Sequence, residues 1–122
     1  MSGIYIHVPF CQSRCIYCDF YSTTYDRAWQ ERYVSAAIRE MQRRRHELDP
    51  SDLRTIYLGG GTPSQLQPAL LLQLFVALSQ LFPFDRLTEV TIEANPDDVT
   101  PQWLDAVRQT PVNRISMGVQ SF

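Results

Sequence analysis

Three cysteines, Cys11, Cys15 and Cys18, fall within eight residues, and the rest of the chain has none. A disulfide framework would leave one sulfur over, and a bridge across so short a loop removes little chain entropy. The tight group of thiols reads instead as a metal site. A structural zinc site takes four ligands, typically with a second C-x2-4-C pair later in the chain, and no such pair exists here. His7 could complete a Cys3His set, although it sits in a strand pattern. Iron–sulfur clusters take thiolates directly, and three of them on a four-iron cluster leave one iron open to a substrate. The cluster is the preferred reading, with zinc and inert buried thiols as its competitors.

Two further groups carry chemistry. Gly59-Gly60-Gly61-Thr62-Pro63 fits neither G-x-G-x-x-G nor the P-loop. It reads either as bare backbone that a ligand can approach closely or as a plain turn between a strand and a helix. Glu93 and Gln120 are polar residues in otherwise apolar strand patterns. All 11 basic residues are arginine, which removes the P-loop amine and any Schiff base. The net charge of -2 offers no basic surplus for nucleic acid. No apolar stretch approaches the ~20 residues of a membrane helix. The opening residues lack the basic start and apolar run of a signal peptide, so a cytoplasmic location is expected.

The elements that must position these residues are marked by periodicity and punctuation. Strands are expected at Ile4–Val8, Thr55–Leu58, Glu89–Ala94 and Ile115–Val119, each alternating or β-branched. Between them, Trp29, Tyr33, Val34, Ala37, Ile38 and Met41 recur at helical spacing after Asp26, a good N-cap. That helix is expected to end near Asp49-Pro50. A second helix is expected over Pro68–Leu81, and a third over Pro101–Val107 with Thr100 as its cap. Strands alternating with helices imply a parallel sheet. A full barrel needs ~250 residues, about 31 per unit. The 122 residues present hold about four such units, enough for a small open sheet but not for a closed barrel, so unless the fold is such a sheet the chain is expected to be part of something longer.

Strand phase groups the polar residues. Ile4, Ile6 and Val8 share one face and leave Tyr5 and His7 on the other. Val90 and Ile92 oppose Thr91 and Glu93; Ile115, Met117 and Val119 oppose Ser116, Gly118 and Gln120. With the apolar faces against helices, Tyr5, the cysteine segment, the glycines, Glu93 and Gln120 surround one basin at the strand ends. In β/α folds ligands bind there.

The run from His7 to Phe20 (HVPFCQSRCIYCDF) resembles the radical S-adenosylmethionine (SAM) superfamily. Within it the chain resembles the branch of oxygen-independent coproporphyrinogen III oxidases and heme chaperones. The likeness continues through Gly59–Ser64, Glu93–Pro96 and Asn113–Phe122, in order and along essentially the whole chain. The resemblance implies an α/β fold, a parallel partial barrel of the TIM type, of which residues 1–122 supply the N-terminal part with about four strands. It implies that Cys11, Cys15 and Cys18 hold a [4Fe-4S] cluster whose open iron is chelated by SAM. Reductive cleavage of SAM to methionine and a 5'-deoxyadenosyl radical is the chemistry of that pair. The SAM contacts it implies are Tyr5, Tyr17, Gly60, Gly61, Thr62, Glu93 and Gln120.

One position separates the two kinds within the branch. The oxidases carry a further cysteine two residues after the third ligand, and here that position is Phe20. Asp19-Phe20-Tyr21-Ser22 resembles the heme-chaperone pattern, which implies heme as cargo and heme-acceptor proteins as partners. The alternative is decarboxylation of a porphyrinogen's propionates to vinyls, which needs an electron donor. The chaperone is the preferred reading.

Overall fold

Strands and α-helices alternate among the described residues. The computed structural model describes residues 2–9 and 27–117, and among these lie β1 (Ser2–Val8), α1 (Arg27–Arg44), β2 (Leu53–Gly60), α2 (Pro68–Leu81), β3 (Glu89–Ala94), α3 (Pro101–Arg108) and β4 (Arg114–Met117). Every strand pair is parallel, in the order β1-β2-β3-β4. Each strand lies beside its predecessor, which is how a βα barrel wall grows. A doubly wound sheet would reverse its order at a switch point.

The alternation read from the sequence decides which face packs. Ile6, Val8, Ile56, Leu58, Val90 and Ile92 are buried in one cluster with Val34 of α1, Leu71, Leu74 and Leu78 of α2, and Trp103 and Val107 of α3. All three helices therefore cover the same face of the sheet. α2 starts at Pro68, where a missing N–H costs nothing. α3 is capped as expected, with the Thr100 hydroxyl accepting from the Trp103 N–H at 3.1 Å. On the edge strand β1, the Tyr33 hydroxyl donates to the His7 carbonyl and ties α1 to the strand's C-terminal end.

The structure departs from expectation at two element boundaries and in the burial of one residue. β2 runs on through Gly59 and Gly60, which pair with His7 and Val8, so two of the three glycines are strand rather than loop. The pairing continues because the Gly61 N–H donates to the Val8 carbonyl at 2.8 Å. α1 ends at Arg44, and short 3-10 turns at Arg45–Glu47 and Pro50–Asp52 replace its expected last turn. The Asp49 carboxylate accepts from the Ser51 N–H at 3.0 Å, which favours a turn over a continuing helix. Met117, expected on the packed face of the last strand, is 54% exposed. It lies on the edge strand β4, beyond the cover of the described helices. No described helix is long and apolar enough to cross a membrane.

Candidate functional site at the strand ends

The face opposite the helices is ordered in rows by the strand register. One row runs Tyr5, Tyr57, Thr91, Arg114 across all four strands. The next row toward the C-terminal ends pairs His7 with Gly59 and Glu93 with Ser116. Tyr5 is 59% exposed and stacks on Tyr57, with ring centroids 5.8 Å apart and planes 15° from parallel. Thr91, in the middle of the first row, is buried, so the concave face has a floor rather than an open slot.

Glu93 is the hub of the upper row. Its Oε2 accepts from the Tyr57 hydroxyl at 2.6 Å, and its Oε1 accepts from the Gly60 N–H at 3.1 Å. The bond to Glu93 raises the Tyr57 phenol above its ordinary range, because ionising would lose it; burial acts in the same direction, and the nearby Ser116 and Arg114 oppose both. A carboxylate has about four lone-pair sites, so both oxygens of Glu93 can still accept from a ligand.

The glycines make room for this arrangement. A Cβ at Gly59 would stand 2.7 Å from the Tyr57 ring, and 3.0 Å from both Glu93 Oε1 and the Tyr5 hydroxyl. Gly60 has φ 109°, a conformation that side chains rarely adopt, and a Cβ there would meet the His7 ring at 2.6 Å. The edge is therefore bare backbone by necessity. A cleft of about 200 Å³ opens beside it, lined by Gly61, Thr62, Pro63, Glu93, Ala94, Asn95 and Ser116.

The loops bordering the cleft share one construction. β2 and β3 each lead into a proline-initiated 3-10 turn, at Pro63–Gln65 and Pro96–Asp98. The buried Ser64 hydroxyl joins the two, donating to Asp98 Oδ2 at 2.8 Å and accepting from the Asn95 N–H at 3.0 Å. Gln65 Nε2 adds a second bond to Asp98 at 2.7 Å. Gln30 of α1 reaches the same loop, donating to the Gln65 carbonyl at 3.0 Å and accepting from the Gln67 N–H at 2.9 Å. All three βα units are thereby pinned together at the rim.

Of the residues singled out from sequence, Tyr5, Gly60, Gly61, Thr62 and Glu93 come together at this rim. Cys11, Cys15, Cys18, Tyr17, Phe20 and Gln120 lie outside the described residues, as does the expected cap Asp26. His7 is exposed, its ring against Gly60. Tyr57, Ser64 and Gln30 join the rim without having been expected there from the sequence. The phase of β2 marks Tyr57, since Ile56 and Leu58 face the helices and Tyr57 must face the basin. Ser64 and Gln30 carry no such periodic signal.

Among protein families, the radical SAM superfamily matches residues 5–122. The chain belongs to the radical SAM superfamily. A radical SAM enzyme of known structure, the coproporphyrinogen III oxidase (HemN) of Escherichia coli, superposes with a TM-score of 0.78 at 29% identity, over 98% of this chain and 28% of that one. The four-stranded sheet is thus the radical SAM partial-barrel fold. The heme chaperones HemW of Lactococcus lactis subsp. lactis (strain IL1403) and Bacillus subtilis (strain 168) are 39% and 37% identical over 99% and 100% of the chain. An anaerobilin synthase of Escherichia coli O157:H7 is 31% identical over 98% of it. The chain spans about a third of the length of the HemW proteins, 31% and 32%. Membership of the radical SAM superfamily implies a [4Fe-4S] cluster and SAM. The rim suits the second of these: a bare glycine edge, which any Cβ would fill, faces a carboxylate with acceptor sites to spare.

Proposed function

We propose that this chain is the cluster- and SAM-binding part of a cytoplasmic heme chaperone of the HemW kind, and that residues 1–122 are the N-terminal part of its radical SAM core. In this reading Cys11, Cys15 and Cys18 hold a [4Fe-4S] cluster on the segment that follows β1. Gly60, Gly61 and Thr62 present backbone to the methionyl end of SAM. Glu93 accepts from its ammonium or ribose hydroxyls, Gln120 is a further SAM contact, and Tyr5 and Tyr17 flank the cluster as aromatic cofactor contacts. When bound, the reduced cluster supplies an electron to the sulfonium of SAM, chemistry that belongs to the cofactors. The chain's own residues supply a bare backbone edge and an oriented acceptor, and the tied loops keep the rim from spreading.

The observation that carries the SAM assignment is the fixed Glu93 carboxylate beside the bare Gly60 edge, two strands from the end of β1. The likeness to HemW along the chain, together with Phe20 where an oxidase has cysteine, supports the chaperone over the oxidase. Phenylalanine offers no thiol for redox or substrate chemistry.

The test uses the complete protein under anaerobic conditions. Reconstitution should give a brown protein with about four irons per chain, lost when Cys11, Cys15 or Cys18 is replaced by alanine. It should bind heme and pass it to a heme-less acceptor, and release no carbon dioxide from coproporphyrinogen III with SAM and a reductant. A colourless protein holding stoichiometric zinc would refute the cluster. Robust decarboxylation would put the oxidase in place of the chaperone.

A further inference from the structure

We propose that Tyr57 is a positioning residue for SAM: its hydroxyl holds the Glu93 carboxylate in the orientation that receives SAM. This rests on the reading above, in which Glu93 contacts SAM. Glu93 stands on β3, and both of its anchors, the Tyr57 hydroxyl and the Gly60 N–H, come from β2. One anchor per oxygen fixes the plane of the carboxylate as well as its place. A single anchor would leave it free to turn about the remaining bond.

Tyr57 is itself held. Its ring stacks on Tyr5, and its edge passes over Gly59, where a Cβ would come within 2.7 Å of Cε1. The hydroxyl thus links β2 to β3, and its donation to the carboxylate at 2.6 Å is of the strong, charge-assisted kind. With the carboxylate already oriented, SAM does not have to order a mobile glutamate when it binds, and affinity gains by that amount. Among the described residues, no other side chain donates to Glu93.

The experiment is a double-mutant cycle on the complete, cluster-loaded protein. Binding of radiolabelled SAM is measured by anaerobic equilibrium dialysis for the wild type, Tyr57→Phe, Glu93→Gln and the double variant, with iron content measured beside it. Phenylalanine keeps the ring stacked on Tyr5 and removes only the hydroxyl. Tyr57→Phe should weaken SAM binding about tenfold, the scale of one hydrogen bond to a charged group, at unchanged iron content. In the Glu93→Gln background the same change should cost clearly less, since the two act as one unit. If iron content falls, affinity per loaded cluster decides in the same way. Full affinity in Tyr57→Phe with lost affinity in Glu93→Gln overturns the positioning role and leaves the SAM site standing. Additive losses also overturn it, because Tyr57 would then act independently of Glu93. Full affinity in Glu93→Gln overturns both the positioning role and the SAM site.

Discussion

The two faces of the sheet are built on opposite terms. Toward the helices, β1, β2 and β3 present aliphatic side chains that vanish into one core with α1, α2 and α3. Toward the basin, the same strands present Tyr5, Tyr57 and Glu93, partly exposed and joined by directional bonds across strands. The first face tolerates any side chain of the right volume and polarity; the second depends on single atoms. Stability and ligand chemistry are thus divided between residues that alternate along one strand, so a substitution at position 92 and one at position 93 should have different kinds of consequence.

The largest stability effect should come from the helix side. Leu74→Ala empties a fully buried site in α2 and should cost about 2–5 kcal/mol in urea unfolding, with no specific loss of SAM affinity in the protein that remains folded. A loss confined to SAM binding would break the division between the faces. Next comes the glycine edge. Gly60→Ala forces a side chain into φ 109° against His7 and should cost about 1–3 kcal/mol. SAM binding should fall beyond what lost folding explains, since the Glu93 anchor moves with the backbone.

Ser64→Ala should cost about 1–2 kcal/mol by leaving the Asn95 N–H and the Asp98 carboxylate each short of a partner. Its effect on SAM binding should be smaller than that of Gly60→Ala, because Ser64 ties the rim from behind. The smallest effect concerns pH. Burial, with Tyr5 beside it, pushes the Tyr33 phenol from 10.0 up to about 12. The folded protein then keeps this proton in a range where the unfolded chain has lost it, so stability falls as pH rises from about 10 through about 12. Tyr33→Phe should flatten that alkaline decline in denaturation measured across pH, and an unchanged slope would show that Tyr33 does not cause it.

Periodicity alone makes the helix-facing side of the molecule legible in the sequence. Pro68–Leu81 and Glu89–Ala94 are readable to the residue because a proline or a change of period marks their ends. β2 reads short because Gly59 and Gly60 signal a turn by type, whereas backbone pairing with β1 keeps them in the sheet. α1 reads long because the competing bond from Ser51 to Asp49 is local and carries no periodic trace. At the rim, Glu93 stands out as a charge in an apolar strand. Tyr57 does not, since tyrosine in a strand is usually packing, and its bond to Glu93 spans 36 positions. Ser64 and Gln30 act through bonds to other loops, and only the fold brings those partners within reach.

Ligand-induced stabilisation shows whether the rim around Glu93 receives SAM. The melting temperature of the complete, cluster-loaded protein is measured under anaerobic conditions with and without saturating SAM, for the wild type and for Glu93→Ala, with iron content checked in both. SAM should raise the wild-type melting temperature and leave that of Glu93→Ala nearly unmoved at equal iron content. An equal rise in both proteins would mean that SAM binds without the Glu93 rim.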